Sequence, residues 1–91
     1  MDIFLWKTPS EINKDLATKI KRIRKRKKIT QKQLADRSNV SYGAYKKFEQ
    51  TGEISLLSFT KIVMELGLTN ELESLFTNVP YASLEEVLNE R

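Results

Sequence analysis

Along the first third of the chain the bulky apolar residues Ile12, Leu16, Ile20 and Ile23 recur at spacings of three and four. That is the period of a helix with one face turned to a core. Thr8 supplies a capping hydroxyl, Pro9 suits the first helical position, and Glu11 is placed to return a hydrogen bond, so the pattern predicts a helix over 9–27. Thr30 and Gln33 repeat the capping box ahead of Leu34 and Ala35, and Ser38 and Asn39 stop this second helix after about two turns. A connection centred on Asn39 and Val40 leads to Ser41, which caps a third helix over 42–50, closed by Thr51 and Gly52. Ser55 opens a fourth, with Leu56, Phe59, Ile62, Val63 and Leu66 as its apolar stripe and Gly67 as a left-handed cap. A short fifth helix is expected over 71–76, carrying Leu72, Leu75 and Phe76. Residues 77–82, with Pro80, read as a linker, and Ser83, Leu84, Glu85 and Glu86 cap a last short helix. Residues 2–7 suit an extended segment, but nothing else in the chain offers it a sheet. The expected class is all-α, five helices with a short C-terminal helical extension.

Ninety-one residues have room for one core. Three parts are expected: an apolar arm over 1–8, a helical domain over 9–76 and an acidic extension over 77–91. The chain holds no cysteine and no histidine, which removes disulfides, thiolate metal sites and the usual general base. Neither a metal nor a cofactor is expected, and the remaining Asp, Glu, Lys and Tyr residues form no catalytic spacing, so an enzyme is not expected either. Ile3, Phe4, Leu5 and Trp6 run directly into Lys7, Thr8 and Pro9, too short a stretch for a signal-peptide core or a membrane span. A cytoplasmic location is the expectation.

Net charge is +4, but its distribution says more than its size. Lys19, Lys21, Arg22, Arg24, Lys25, Arg26, Lys27, Lys28 and Lys32 fall in a stretch without Asp or Glu, while Glu71, Glu73, Glu85, Glu86 and Glu90 dominate the last quarter. The basic run is the signature of a polyanion partner. Membrane-surface binding is the competing explanation, but the apolar face it needs for an anchor is required by the core.

Two short helices joined by a tight turn have helix-turn-helix spacing. With Arg24, the run Thr30-Gln31-x-x-Leu34-Ala35, Val40-Ser41 and Phe48-Glu49-x-x-Gly52, the chain resembles helix-turn-helix regulators of the Xre or lambda-repressor-like type over residues 12–68. The resemblance implies a lambda-repressor-like DNA-binding domain whose third helix enters the major groove of double-stranded DNA. On that reading Ser41, Tyr42, Gly43, Lys46 and Lys47 are the DNA-binding positions of the recognition helix, with Gly43 admitting close approach, while Tyr45 and Phe48 seat the helix on the core. The resemblance further implies that Gln31 binds the DNA backbone and braces the recognition helix, and that Arg24 and Glu49 form a structural ion pair.

One such helix reads too few base pairs to select a site, so a homodimer on a palindromic operator is expected. Leu68, Leu72, Leu75 and Phe76 are its first candidate interface, with core closure as the alternative; Ile3, Phe4, Leu5 and Trp6 are the second. Within the family, Gly52 to Leu56 and Leu66-Gly67-Leu68 look like HipB-like antitoxins. That likeness would make the chain the autorepressor of a toxin-antitoxin operon, binding a HipA-like kinase toxin. The alternatives are a stand-alone Xre-type repressor of phage or mobile-element origin, or a protein-interaction adaptor without DNA binding.

Overall fold

Thr8 opens the first helix as its neighbours require: its hydroxyl accepts from the Glu11 amide at 3.1 Å, and Glu11 Oε1 accepts from the Thr8 amide at 3.3 Å. Such a cap contributes about 1 kcal/mol. In the computed structural model, which describes residues 6–78 and 88–89, helix α1 spans Pro9–Arg26, α2 Gln31–Ser38, α3 Tyr42–Thr51, α4 Leu56–Glu65 and α5 Thr69–Glu73. The described residues form helices joined by turns and short irregular segments, without a strand. Helix α1 packs along α3, α2 packs on both α3 and α4, and α4 packs on α5.

Three of the helices end on one device. Just past the ends of α1, α2 and α4, Lys28, Asn39 and Gly67 take left-handed backbone angles, φ 57, 55 and 78. The next residue then turns its amide back to a carbonyl five positions earlier: Ile29 to Arg24, Val40 to Ala35, Leu68 to Val63. This satisfies carbonyls that the helix leaves open. It also sends Val40 into the core and packs Ile29 and Leu68 against it.

The core holds Ala17 and Ile20 of α1, Leu34 and Ala35 of α2, Val40 of the turn, Tyr45 and Phe48 of α3, and Ile62, Val63 and Leu66 at α4 and its cap. Phe48 meets Tyr45 at a ring separation of 6.0 Å and Phe59 edge-on at 5.8 Å, joining α3 to α4.

Several predicted positions differ. On α1 the buried line is Ala17, Ile20 and Arg24, with Ile23 half-buried, while Ile12 and Leu16 are 50% and 41% exposed. The close pass of α3 and its terminal Gly52 beside this face suits a small side chain at Ala17 and leaves the bulky flank outside. Leu56 is 76% exposed, rather than part of the buried stripe. It stands at the edge of an open apolar groove of about 300 Å³, shared with Leu16, Phe59, Leu72 and Leu75. Helix α5 starts at Thr69, not residue 71, because the carbonyl of Leu68 accepts from Glu71 and Leu72 as soon as the preceding turn is made. Helix α5 ends before Leu75 and Phe76, which are exposed, while Leu68 and Leu72 pack against the core. Residues 1–5 of the apolar arm, 79–82 of the linker with Pro80, and 83–87 of the helix opened by Ser83 lie outside the described residues.

Gly52 is required twice over. At φ 82 it occupies the left-handed region, and a Cβ there would come within 2.7 Å of the backbone of Asn13 and Lys14. Backbone cannot swing aside as a side chain can. Gly52→Ala should therefore lower unfolding free energy by about 2–4 kcal/mol, combining left-handed strain with overpacking, as read from the urea midpoint. A loss below about 1 kcal/mol would mean that α1 and α3 are free to separate there.

Candidate nucleic-acid interface

Helix α3 divides its side chains by helical position. Tyr45 and Phe48 are buried and Glu49 turns inward with its carboxylate 3% exposed, whereas Ser41, Tyr42, Gly43, Ala44, Lys46, Lys47 and Gln50 are exposed. Ser41 caps the helix, its Oγ accepting from the Ala44 amide at 3.1 Å. Lys46 Nζ lies 5.9 Å from the centre of the Tyr42 ring, a cation–π contact that keeps both groups at the outer edge of the first turn.

Glu49 is where three helices meet. Arg24 of α1 donates from Nε to Oε2 at 2.7 Å and from Nη2 to Oε1 at 3.1 Å, Gln31 of α2 donates from Nε2 to Oε1 at 2.8 Å, and Tyr45 of α3 donates its hydroxyl to Oε2. The remaining guanidinium nitrogen, Nη1, donates to the Ile29 carbonyl at 2.8 Å. Arg24 therefore secures the left-handed turn that follows its own helix as well as the ion pair. Burial by itself would raise the Glu49 carboxyl, but the hydrogen bonds from Arg24, Tyr45 and Gln31 outweigh it and hold the group below its ordinary value. Burial, then the neighbouring carboxylate, pushes the Tyr45 phenol up, so it stays a neutral donor.

Gln31 thus faces two ways. Its side chain braces α3 through Glu49, and it stands at the first position of α2. There Thr30 and Gln33 cap one another, the Gln33 amide donating to Thr30 Oγ1 at 3.1 Å and the Thr30 amide to Gln33 Oε1 at 2.9 Å. Next to this end lies the basic run. Lys19, Lys21, Arg22, Lys25, Arg26, Lys27, Lys28 and Lys32 are exposed; Arg24 alone leaves the run, being 7% exposed in its ion pair.

Two short helices, a three-residue turn and an exposed polar face on the second helix constitute the arrangement on which a family model for helix-turn-helix domains matches residues 20–71, more than half of the chain. The chain belongs to the helix-turn-helix family. This makes it a DNA-binding transcription regulator. No curated protein and no solved structure matched the chain. Among the described residues of this helix-turn-helix protein, no helix is long and apolar enough to cross a membrane.

Residues that the sequence pattern passed over include Gln50 and Ala44, both on the exposed side of α3. Gln50 lies seven residues beyond Gly43, two turns along the same face, a signal the spacing did contain. The apolar pattern gives Tyr45 only as core bulk, whereas its hydroxyl belongs to the Glu49 cluster.

The lowered Glu49 value gives stability a defined pH dependence. A carboxyl depressed in the folded state contributes its stabilisation above the ordinary value of 4.5. That contribution is lost as pH falls through the folded value. Wild-type urea midpoints should thus fall below about pH 4.5. Glu49→Gln should cost about 3 kcal/mol at pH 7, because it leaves the Arg24 charge buried and uncompensated, and should flatten part of the acid decline. An acid limb identical in the two proteins would show that Glu49 does not carry it.

Proposed function

We propose that the protein is a transcriptional repressor that binds a palindromic operator as a homodimer, with α3 in the major groove and α2 set on the phosphate backbone by Gln31. The division of α3 carries this reading: its inward side is used up by Tyr45, Phe48 and Glu49, while Ser41, Tyr42, Gly43, Lys46 and Lys47 stand outward on a helix fixed to two others. A helix so held can present side chains to base edges without losing its own placement. Tyr42 suits contact with a phosphate or a thymine methyl, Lys46 a phosphate, and Lys47 a base edge or a phosphate. The exposed lysines and arginines of α1 add phosphate attraction that is independent of sequence.

Gly43 supports close approach in a way the other two glycines do not. Gly52 and Gly67 have positive φ, but Gly43 is helical and a Cβ there would meet nothing within 4 Å. The folded protein gives no reason for the missing side chain. A groove floor against the helix gives one.

For the dimer, Leu75 and Phe76 supply exposed apolar surface, 54% and 81%, beyond the Leu68 and Leu72 that close the core. A twofold pair through this end would match a palindrome with half-sites about one DNA turn, roughly 34 Å, apart. Neither the fold nor the comparisons support capture of a HipA-like kinase toxin, so the repressor reading stands without it.

The test begins with a duplex that the protein enriches from a random pool. On that duplex Tyr42→Ala with Lys47→Ala should weaken binding by about tenfold or more. Wild-type affinity should also fall steeply with salt, log K dropping by about 0.9 per neutralised phosphate per decade. Unchanged affinity and sequence preference in the double variant would refute the recognition-helix assignment. Gly43→Ala separates fit from folding: thermal stability should rise, by up to about 1 kcal/mol, while affinity for the selected duplex falls. If both stability and affinity rise, the glycine does not serve close approach.

A further inference from the structure

At the end of α3, Lys47 Nζ lies 3.5 Å from Glu53 Oε2, with both side chains about two-thirds exposed, 64% and 68%. The turn that brings them together is built rather than incidental. Gly52 is fixed against the α1 backbone, the Glu53 amide donates to Thr51 Oγ1 at 3.1 Å, and that hydroxyl donates to the Lys47 carbonyl at 2.8 Å. Residues 47, 51 and 53 are tied to one another, and Lys47, Glu53, Ser55 and Ser58 line one shallow cleft beside Ala44. Between residues 37 and 58 the chain has two carboxylates, Glu49 and Glu53. Glu49 is buried and neutralised by Arg24, which leaves Glu53 as the exposed negative charge bordering the outward face of α3.

An exposed pair of this kind does little for folding stability. Its consequence is for what approaches α3. We propose that Glu53 is a specificity residue: by holding Lys47, it withholds that lysine from phosphates of unmatched DNA and so widens the gap between the protein's own site and other sequences. This rests on the DNA-binding reading above. Non-specific binding is nearly all phosphate contact, and there the Glu53 carboxylate competes with phosphate for Lys47. At a matched site a base-edge acceptor in the groove replaces Glu53 as the lysine's partner, so the same carboxylate costs less. The outcome is discrimination gained by weakening the wrong complex more than the right one.

The experiment compares wild type, Glu53→Gln, Lys47→Met and the double variant on two duplexes of equal length, one enriched by the protein from a random pool and one scrambled. Glu53 is exposed and its hydrogen bond to Thr51 Oγ1 is donated by its main-chain amide, so Glu53→Gln should fold as wild type does, which circular dichroism checks. Glu53→Gln should tighten binding to the scrambled duplex by about threefold to tenfold, with a salt slope steeper by about 0.9, one further phosphate contact. The selected duplex should gain less, so that the ratio of the two affinities narrows. In the Lys47→Met background the gain on scrambled DNA should largely vanish. A gain of equal size without Lys47 would overturn the proposal in favour of a general charge effect, and no gain on scrambled DNA would overturn it outright. Wild-type protein that enriches no duplex at all would instead refute the function proposed above, and this inference with it.

Discussion

The placement of the recognition helix depends on one buried carboxylate. Apolar burial holds α1, α2 and α3 together but is non-directional, and it would tolerate small rotations of α3 about its axis. Glu49 does not tolerate them, because its two oxygens receive from Arg24 on α1, Gln31 on α2 and Tyr45 on α3 itself. Buried ion pairs are weak contributors to net stability when weighed against apolar replacements, but removing one partner is costly. The arrangement therefore gives orientation more than strength. In a helix that must present particular side chains outward, orientation is the property that function needs.

Arg24 and Gln31 each serve a second structure besides their bond to Glu49. Arg24 also bonds the Ile29 carbonyl, which lies within the turn leading to α2, so the connection between α1 and α2 is held by the group that holds α3. Gln31 occupies the first position of α2 while bonding Glu49. A displacement at the start of α2 is thereby felt along α3, so the two helices of the helix-turn-helix move as one body.

Much of this was legible in the residues, for identifiable reasons. The caps at Thr8, Thr30, Ser41 and Ser55 act within three residues, so local pattern carries them completely. Helix faces were less legible. Ala17 is fully buried but adds little to a hydrophobic pattern, whereas Ile12 and Leu16 dominate the pattern and are exposed, Leu16 on a groove shared with Ile54 and Leu72, which are distant in sequence. The left-handed endings were partly hidden for a related reason. Gly67 announces itself, but Lys28 takes φ 57 without being glycine or asparagine, held by its place between a helix and an apolar residue that must return to the core. The Glu49 site was legible only through family resemblance, since nothing local links residues 24, 31 and 49.

The glycines show how a structure can separate internal from external causes. Gly52 and Gly67 have positive φ, and Gly52 also lies against another backbone; the fold accounts for both. Gly43 has neither feature and sits where alanine would favour the helix. A residue that costs helix stability and relieves no internal conflict points beyond the folded chain, toward whatever approaches that face. Glu53 has the same logic with charge in place of volume. It adds little to folding, yet the Thr51 hydroxyl and the Gly52 turn hold it near the lysine at the far end of the outward face. On the DNA-binding reading proposed above, space at one end of α3 and a negative charge at the other both shape which complexes can form. On the same reading, affinity comes mainly from the basic flank of α1, and selectivity from α3 and its closing turn.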